Sequence, residues 1–445
     1  MKTMKVLNPL ESLRFFENNL PEFLPKDNTV KKMIAGLMTA LQDTAPESFH
    51  ASVLLKGKEL IKHIITRSIE YLSNESNSPK DRSIENVNNY IDAFTVFEEM
   101  LFGLDQTYRD HTLHSLWVYL FGHQFIIGMG GYDKIEIAGQ MNITFFKDGQ
   151  PKFVTGTHPI KGSKPHMEAM WGMIAILHDL GYPVEAISNK PHEVFSRILD
   201  PFAIDFSSIF QVDLGSRISL LHQSVCDLLS TMYRPKGLTS EETEKLCEEA
   251  DKKASKDLLY VPLEPSVTKA EALEMEFKIA SVDKIHSAWS AILAFKNINY
   301  LHESDYHGGG NRDYLKLLTK RDILYSIVHH TSEEPKDQAM NRFQFILLLM
   351  DDIEEAARYS RGGKERGLVS DYCDLKWDVG GAKTVVELDY TYHDYDAQRK
   401  YSAVLNKYKS QISKKEVNPA YEIEFRFIDK DFKTDLTLNL VKDKK

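Results

Sequence analysis

The chain has 445 residues, of which 42% are hydrophobic and 27% charged, a composition typical of a globular protein with roughly two or three domains. The net charge of −10 argues against nonspecific nucleic-acid binding, and three cysteines without a CxxC pair favour a reducing compartment such as the cytoplasm. The sequence shows neither a signal-peptide pattern nor an apolar run of the roughly 20 residues that a membrane helix requires. We therefore expect a cytoplasmic protein that does not enter the membrane.

The spacing of apolar residues predicts a mainly α fold. Residues 1–95 repeat apolar positions every three to four residues and predict an N-terminal helical layer. Residues 96–365 are also predicted to be helical, except at about 132–160, where alternation around the turn "KDGQ" predicts an inserted β-hairpin. In residues 371–445, apolar and polar residues alternate before and after a further predicted helix, which predicts a small C-terminal α+β domain.

The stretch "AILHDLGYP" places a histidine and an aspartate at the end of an otherwise apolar helix. An unpaired buried carboxylate is strongly unfavourable, so Asp179 requires a partner, and a metal ion is one candidate. His178 beside it offers a second ligand of the kind that metal sites use. Gly181 and Pro183 are expected to end this helix, the glycine as its C-cap and the proline just beyond.

Further histidines and aspartates lie on other apolar helices. They are His111 and His114 in "YRDHTLHSLWVYLFG", His286 in "SVDKIHSAWSAILAF", His329 and His330 in "ILYSIVHHTSEE", and Asp351 and Asp352 in "FQFILLLMDDIEE". Each alone is typical of a core histidine or a solvated helix end, but several helices of a bundle can direct such side chains at one metal ion. The residues leave open whether His111 or His114, and whether His329 or His330, is the ligand.

The order of these residues along the chain resembles that of the HD-domain superfamily of metal-dependent phosphohydrolases. The resemblance is strongest to uncharacterised bacterial members with an "RDHxxH" helix and an Asp-rich final helix; it covers about residues 95–365 and implies an HD-like helical bundle. The ligands that it implies are His114, His178, Asp179 and Asp351, with His286 and His330 supporting a second ion. Gly-Tyr-Pro directly after the doublet departs from the cyclic-dinucleotide phosphodiesterase branch, and the β insertion departs from a compact all-helical core.

The implied chemistry is hydrolysis of a nucleotide or other phosphate ester by a metal-activated water. One or two divalent ions, drawn from Fe, Mn, Zn, Co, Ni and Mg, would activate the water, and Asp179 would bridge the ions or orient the water. Candidate contacts to the phosphate are Arg109, His111, Arg358 and Lys364. For Arg358 and Lys364, complementing a helix dipole is the stronger expectation. The substrate and the oligomeric state, including a homo-oligomer, stay open.

Two alternative functions are compatible with the sequence. A degenerate HD fold would bind a nucleotide or a protein partner without turnover and keep the metal for structure; we favour activity because every implied ligand type is present. The "DDIEE" stretch also resembles the Asp-rich magnesium motif of prenyl-diphosphate enzymes. Those enzymes require a second such motif on a facing helix, and the sequence offers none.

Overall fold

The structure is a computed structural model that describes residues 5–6, 9–25, 28–42, 46–73, 82–104, 110–135, 137, 143–147, 150–154, 162–183, 225, 232–235, 259–260, 263–266, 286–297, 311–330, 342–354, 371–378, 384–392, 423–429 and 434–440. These residues are mainly helical, which confirms the predicted mainly α class. Within these ranges, each helix is too short or too polar to cross a bilayer.

The helices follow one another along the described ranges. They are α1 (Pro9–Asn18), α2 (Asn28–Gln42), α3 (Pro46–Ser73), α4 (Arg82–Leu104), α5 (His111–Gly128), α6 (Lys164–Leu177), α7 (His286–Asn297), α8 (Asn311–His329) and α9 (Phe343–Glu354). Helix α4 runs through residue 95, where the sequence analysis placed a domain boundary. The division of the chain into domains stays a prediction.

Helix α6 lies at the centre of the helical part. Its residues from Met167 to Leu177 are all buried, because they are apolar on every side of the helix apart from Glu168 and Gly172. The helix packs against α3, α5, α8 and α9. Full burial of each large apolar side chain stabilises the fold by roughly 1.5–3 kcal/mol, so this helix anchors the core. The end of α6 carries the His178–Asp179 doublet into the same interior.

Trp171 joins α6 to the two helices beside it. Its Nε1 donates a hydrogen bond to the carbonyl of Tyr119 on α5 at 2.9 Å, and its ring stacks on that of Phe343 on α9, with centroids 6.0 Å apart. A Cβ at Gly122 would lie 2.0 Å from the indole, so only glycine permits this approach of α5 to α6. Trp171 thereby fixes the relative positions of the helices that carry His114, the doublet and Asp351.

The strands within the described residues form three sheets. The largest contains β1 (Lys5–Val6), β7 (Asp371–Asp378), β8 (Thr384–Tyr392), β9 (Ile423–Asp429) and β10 (Thr434–Leu440) in the order β1-β7-β8-β9-β10. The pair β8–β9 is parallel and the other pairs are antiparallel. A parallel pair requires a crossover connection, and the helix predicted there lies outside the described residues. The sequence analysis did not predict β7 or β1.

The two smaller sheets come from the middle of the chain. In one, β2 (Ile143–Lys147) pairs antiparallel with β3 (Gln150–Val154) and with β5 (Leu259–Tyr260). In the other, β4 (Met232–Pro235) pairs with β6 (Leu263–Ser266). Residues far apart in sequence thus meet in the sheet that includes β2 and β3.

Candidate metal centre

Five helix ends meet at one buried place and bring the predicted ligands together. His114 lies in the first turn of α5, and His286 is the first residue of α7. The doublet follows the end of α6, His330 follows the end of α8, and Asp351 lies in the last turn of α9. Three of these ends are helix C-termini, whose dipoles favour a positive charge nearby, and two are N-termini, whose dipoles favour a negative one. The side chains, rather than the helix dipoles, therefore decide which charge the centre attracts.

Two carboxylates fix the beginning of α5. Asp110 is the N-cap, and its side chain accepts a hydrogen bond from the backbone N–H of Leu113 at 2.8 Å. Glu98 of α4, which is fully buried, accepts hydrogen bonds from the N–H groups of His111 and Thr112. These contacts satisfy N–H groups that a helix start leaves unpaired, so His114 is held in a defined position one turn later.

His178 and His330 are oriented by the same local contact. Each follows an apolar helix directly, and each donates a hydrogen bond from Nδ1 to the carbonyl three residues earlier, at 2.8 Å to Ala175 and 2.6 Å to Ile327. The last carbonyls of a helix lack intrahelical partners, so a histidine at this position supplies one. Because a carbonyl only accepts, Nδ1 of each ring carries a proton, and Nε2 is the nitrogen that faces the interior.

The first group of ligand atoms surrounds His114. Its Nε2 lies 2.9 Å from Oδ1 of Asp351, 3.2 Å from Nε2 of His178 and 3.5 Å from Oδ2 of Asp179. His114, His178 and Asp179 together form a group whose ligand atoms have the spacing that a metal ion requires. The aspartate at the start of "DDIEE" thus belongs to the histidine cluster.

The second group shares Asp179 with the first. Oδ1 of Asp179 lies 3.2 Å from Nε2 of His286 and 3.7 Å from Nε2 of His330, and these three residues could hold another metal ion. The distance to His330 is too long for a hydrogen bond, and the buried Nε2 atom of this ring has no such partner among the described residues. A lone pair in this situation is suited to a metal ligand.

The pKa values of both aspartates lie well below their ordinary value. Burial alone would raise the pKa of Asp179, but the rings of His178, His286 and His330 outweigh burial and lower it. Burial also opposes the lowered pKa of Asp351, which the adjacent rings of His114 and His178 produce. For His330, burial lowers the pKa more than nearby Asp179 raises it. The carboxylates are therefore ionised and His330 is neutral, as metal binding requires.

The residues of the centre differ in their access to solvent. The side chains of His114, His178 and His330 are fully buried, whereas those of His286 and Asp351 are each 22% exposed. Tyr182 lies beside this opening, where its ring meets that of His286 edge to face at 6.2 Å. A small molecule could therefore approach the centre from the side of His286 and Asp351.

The structure separates the histidines that the sequence left ambiguous. The ring of His111 stacks on that of Tyr182 at 3.6 Å, and its Nδ1 lies 3.6 Å from Glu98. The ring of His329 packs edge to face on Tyr325 at 4.3 Å. His114 and His330 thus lie among the ligand atoms, and neither His111 nor His329 belongs to the two groups. The predicted phosphate contacts Arg109, Arg358 and Lys364 lie outside the described residues, as does the side chain of Asp352.

Gly181 has a role different from the predicted one. Helix α6 ends at Leu177 with His178 as its C-cap, and Gly181 does not have the positive φ of a glycine cap. A Cβ at Gly181 would instead lie 2.1 Å from the carbonyl oxygen of His286, and its N–H donates to Oγ of Ser290 at 2.7 Å. The prediction of a C-cap was therefore wrong. The glycine allows the backbone after the doublet to touch α7.

Glu354 is a residue of the site that sequence reasoning missed. It is fully buried, and its carboxylate contacts Nδ1 of His114, the edge of the ring opposite to the metal-facing Nε2. The signal was present, because Glu354 follows Asp351 by three residues and so shares its helical face. The sequence analysis named only Asp351 and Asp352 in this motif.

Another buried histidine, on α5, shows a different environment. Nδ1 of His123 lies 2.9 Å from the hydroxyl of Tyr132, and its Nε2 lies 2.8 Å from the carbonyl of Asn19. Both ring nitrogens thus have a protein partner. Burial lowers the pKa of His123 to about 4, so the ring is neutral. This is the arrangement of a core histidine that serves packing.

The chain matches no protein-family model, no curated protein and no solved structure. The interpretation of the site therefore depends on the geometry and chemistry of the residues described above.

Proposed function

We propose that the protein is a metal-dependent phosphohydrolase that hydrolyses a nucleotide or another phosphate ester. One observation carries the proposal: His178 and His330 donate from Nδ1 to carbonyls, and the Nε2 atoms of both rings face Asp179 in the buried centre, where His178 also faces Asp351. Lone pairs and anions that converge in a buried space repel one another unless a cation lies between them. Nitrogen and carboxylate donors in this arrangement fit a divalent transition-metal ion.

The sharing of Asp179 supports a centre with two ions. Its Oδ1 lies within 3.7 Å of Nε2 of His286, His330 and His178, and its Oδ2 lies 3.5 Å from Nε2 of His114, so it contacts ligands of both groups. A bound pair of ions would lower the pKa of a coordinated water and polarise a phosphoryl oxygen. The order of the ligands along the chain and their position on helices support an HD-like helical bundle as the scaffold.

The residues of this chain have distinct tasks in the proposed reaction. His114, His178 and His330, which are buried and hydrogen-bonded at Nδ1, hold fixed positions in the centre. Asp179, whose pKa is held low, stays ionised and accepts a hydrogen bond from the attacking water, which orients that water. His286 and Asp351 border the opening, so the phosphate would enter beside them.

The experiment measures metal content and hydrolysis together. The full chain is purified without a metal-chelating tag, stripped, reconstituted with Mn²⁺, Zn²⁺, Fe²⁺ or Co²⁺, and assayed for phosphate release from nucleotides and small phosphate esters. We expect about two equivalents of metal and turnover that Asp179→Asn abolishes, because two metal-ligand groups share this residue. Metal binding without turnover of any substrate would instead indicate the degenerate, ligand-binding function. Absence of metal after reconstitution would overturn the proposed centre.

A further inference from the structure

Helix α9 contacts both edges of the imidazole of His114. Oδ1 of Asp351 lies 2.9 Å from Nε2 of that ring, and the carboxylate of Glu354, one helical turn later, contacts Nδ1. His114 and Glu354 are both fully buried. The spacing of three residues places the two carboxylates on one face of the helix, so the ring fits between them.

We propose that Glu354 is a positioning residue, which fixes the tautomer and orientation of His114 for metal binding. A carboxylate at Nδ1 accepts a ring proton there, which leaves Nε2, beside Asp351, as the nitrogen that a bound metal ion would take. The negative charge also increases the basicity of Nε2. The inference depends on the proposed metal centre but not on the proposed reaction.

The other buried ligands show why His114 needs such a partner. His178 and His330 donate from Nδ1 to carbonyls of their own helices, because each follows a helix C-terminus. His114 lies in the first turn of α5, and the backbone there presents N–H groups that cannot accept a proton. The acceptor for Nδ1 must therefore come from another element, and α9 supplies it through Glu354.

The alternative role for Glu354 is a plain packing contact between α9 and α5. Glu168 on α6 offers a matched control, because it is also buried and accepts a hydrogen bond from the backbone N–H of Glu22, but belongs to neither metal-ligand group. Replacement of either glutamate by glutamine preserves shape and removes the charge. Only Glu354→Gln is expected to change metal affinity.

The test compares the Zn²⁺ affinity of stripped full-length protein for wild type, Glu354→Gln and Glu168→Gln by competition with a chelating dye. We expect Glu354→Gln to weaken the binding of one equivalent about 10- to 100-fold and Glu168→Gln to leave both affinities unchanged. Wild-type affinity in Glu354→Gln would overturn the proposal, whatever happens to the melting temperature.

A second measurement reads the tautomer directly. In metal-free protein labelled with ¹⁵N-histidine, the His114 signal, assigned by its loss in His114→Gln, should report a protonated Nδ1 in wild type and loss of that proton in Glu354→Gln, where Nε2 beside Asp351 carries the remaining proton. An unchanged tautomer in the variant would overturn the inference. This readout requires no metal, so it decides the role of Glu354 even if wild type fails to bind Zn²⁺ and the proposed centre is wrong.

Discussion

The cluster around Asp179 and the environment of His123 are both buried, and both contain histidine from α5. At His123 each ring nitrogen meets a protein partner, so the group is complete without a ligand. At His114, His178 and His330 the Nδ1 atoms are bonded while the Nε2 atoms face carboxylates or one another. The partner of the second ring nitrogen therefore indicates whether a buried histidine is a ligand or a packing residue. Burial alone does not distinguish the two.

The sharpest test of this comparison is Asp179→Asn. The change removes the carboxylate that both ligand groups share, so we expect metal content to fall from about two equivalents to none. Metal content is measured by mass spectrometry on reconstituted protein, and circular dichroism checks the helical fold. Two equivalents in a folded variant would contradict the sharing of Asp179.

His330→Ala and His286→Ala should separate the two groups. Each removes a ligand of the second group only, so metal content should fall to about one equivalent, measured in the same way. His329→Ala serves as the control, since His329 is adjacent to His330 but its ring packs on Tyr325, outside both groups. A loss of both ions in His330→Ala would show that the groups are not independent.

Gly181→Ala should act on the contact between the doublet and α7. The new Cβ would meet backbone atoms of His286 and Ser290, which cannot rotate away, so the variant should lose about 3 kcal/mol of stability. Chemical denaturation of metal-free protein measures this loss. Gly131→Ala is not a suitable control because its φ is positive, whereas Gly36→Ala is, since its Cβ would meet only the flexible Lys56 side chain.

His123→Ala should lower the stability of the protein without lowering its metal content, unlike the variants of the metal ligands. The truncation leaves the hydroxyl of Tyr132 and the carbonyl of Asn19 without their partner, so we expect a loss of roughly 2–3 kcal/mol in unfolding free energy. Metal content should stay at the wild-type value. A drop in metal content of a folded variant would assign His123 to the centre and break the comparison.

The smallest expected effect is a pH dependence at His123. Its pKa of about 4 in the folded protein lies below the value of about 6.5 expected for the unfolded chain, so between these values the unfolded state binds more protons. This contribution to stability is complete above pH 6.5 and is lost as the pH falls toward 4, at about 1 kcal/mol per pH unit. Denaturation of wild type and His123→Asn at pH 7, 6 and 5 should show the two stabilities converging as pH falls.

Much of the site could be predicted because its ligands end or begin apolar helices. A carboxylate or imidazole directly after a long apolar run lies in the interior, where it requires a partner such as a metal ion. This pattern identified His178, Asp179 and Asp351. The choice of His330 over His329 depends on which ring reaches the carbonyl of Ile327, a contact set by the exact end of α8. Helix ends are the least regular part of a helix, so spacing alone does not give this choice.

Other features depend on contacts between elements distant in sequence. Glu354 matters because its partner lies 240 residues earlier, and no periodicity indicates that pairing. The same limit explains the error at Gly181: a glycine after a helix is usually a cap, and only the proximity of α7 shows that it instead permits backbone contact. Strand β1 was missed because two residues carry no alternation, and it is defined by its pairing with β7.

The contact between Gly181 and α7 also sets the distance between two donors of the centre before any ion binds. His286 begins α7, and its own carbonyl is the group closest to the Gly181 position, so its helix rests on backbone rather than on a deformable side chain. Oδ1 of Asp179 and Nε2 of His286 are already 3.2 Å apart. Two donors at this distance would subtend roughly 100° at an ion with bonds of about 2.1 Å, which is near the angle of tetrahedral coordination. The preorganisation of this donor pair thus follows from a missing side chain.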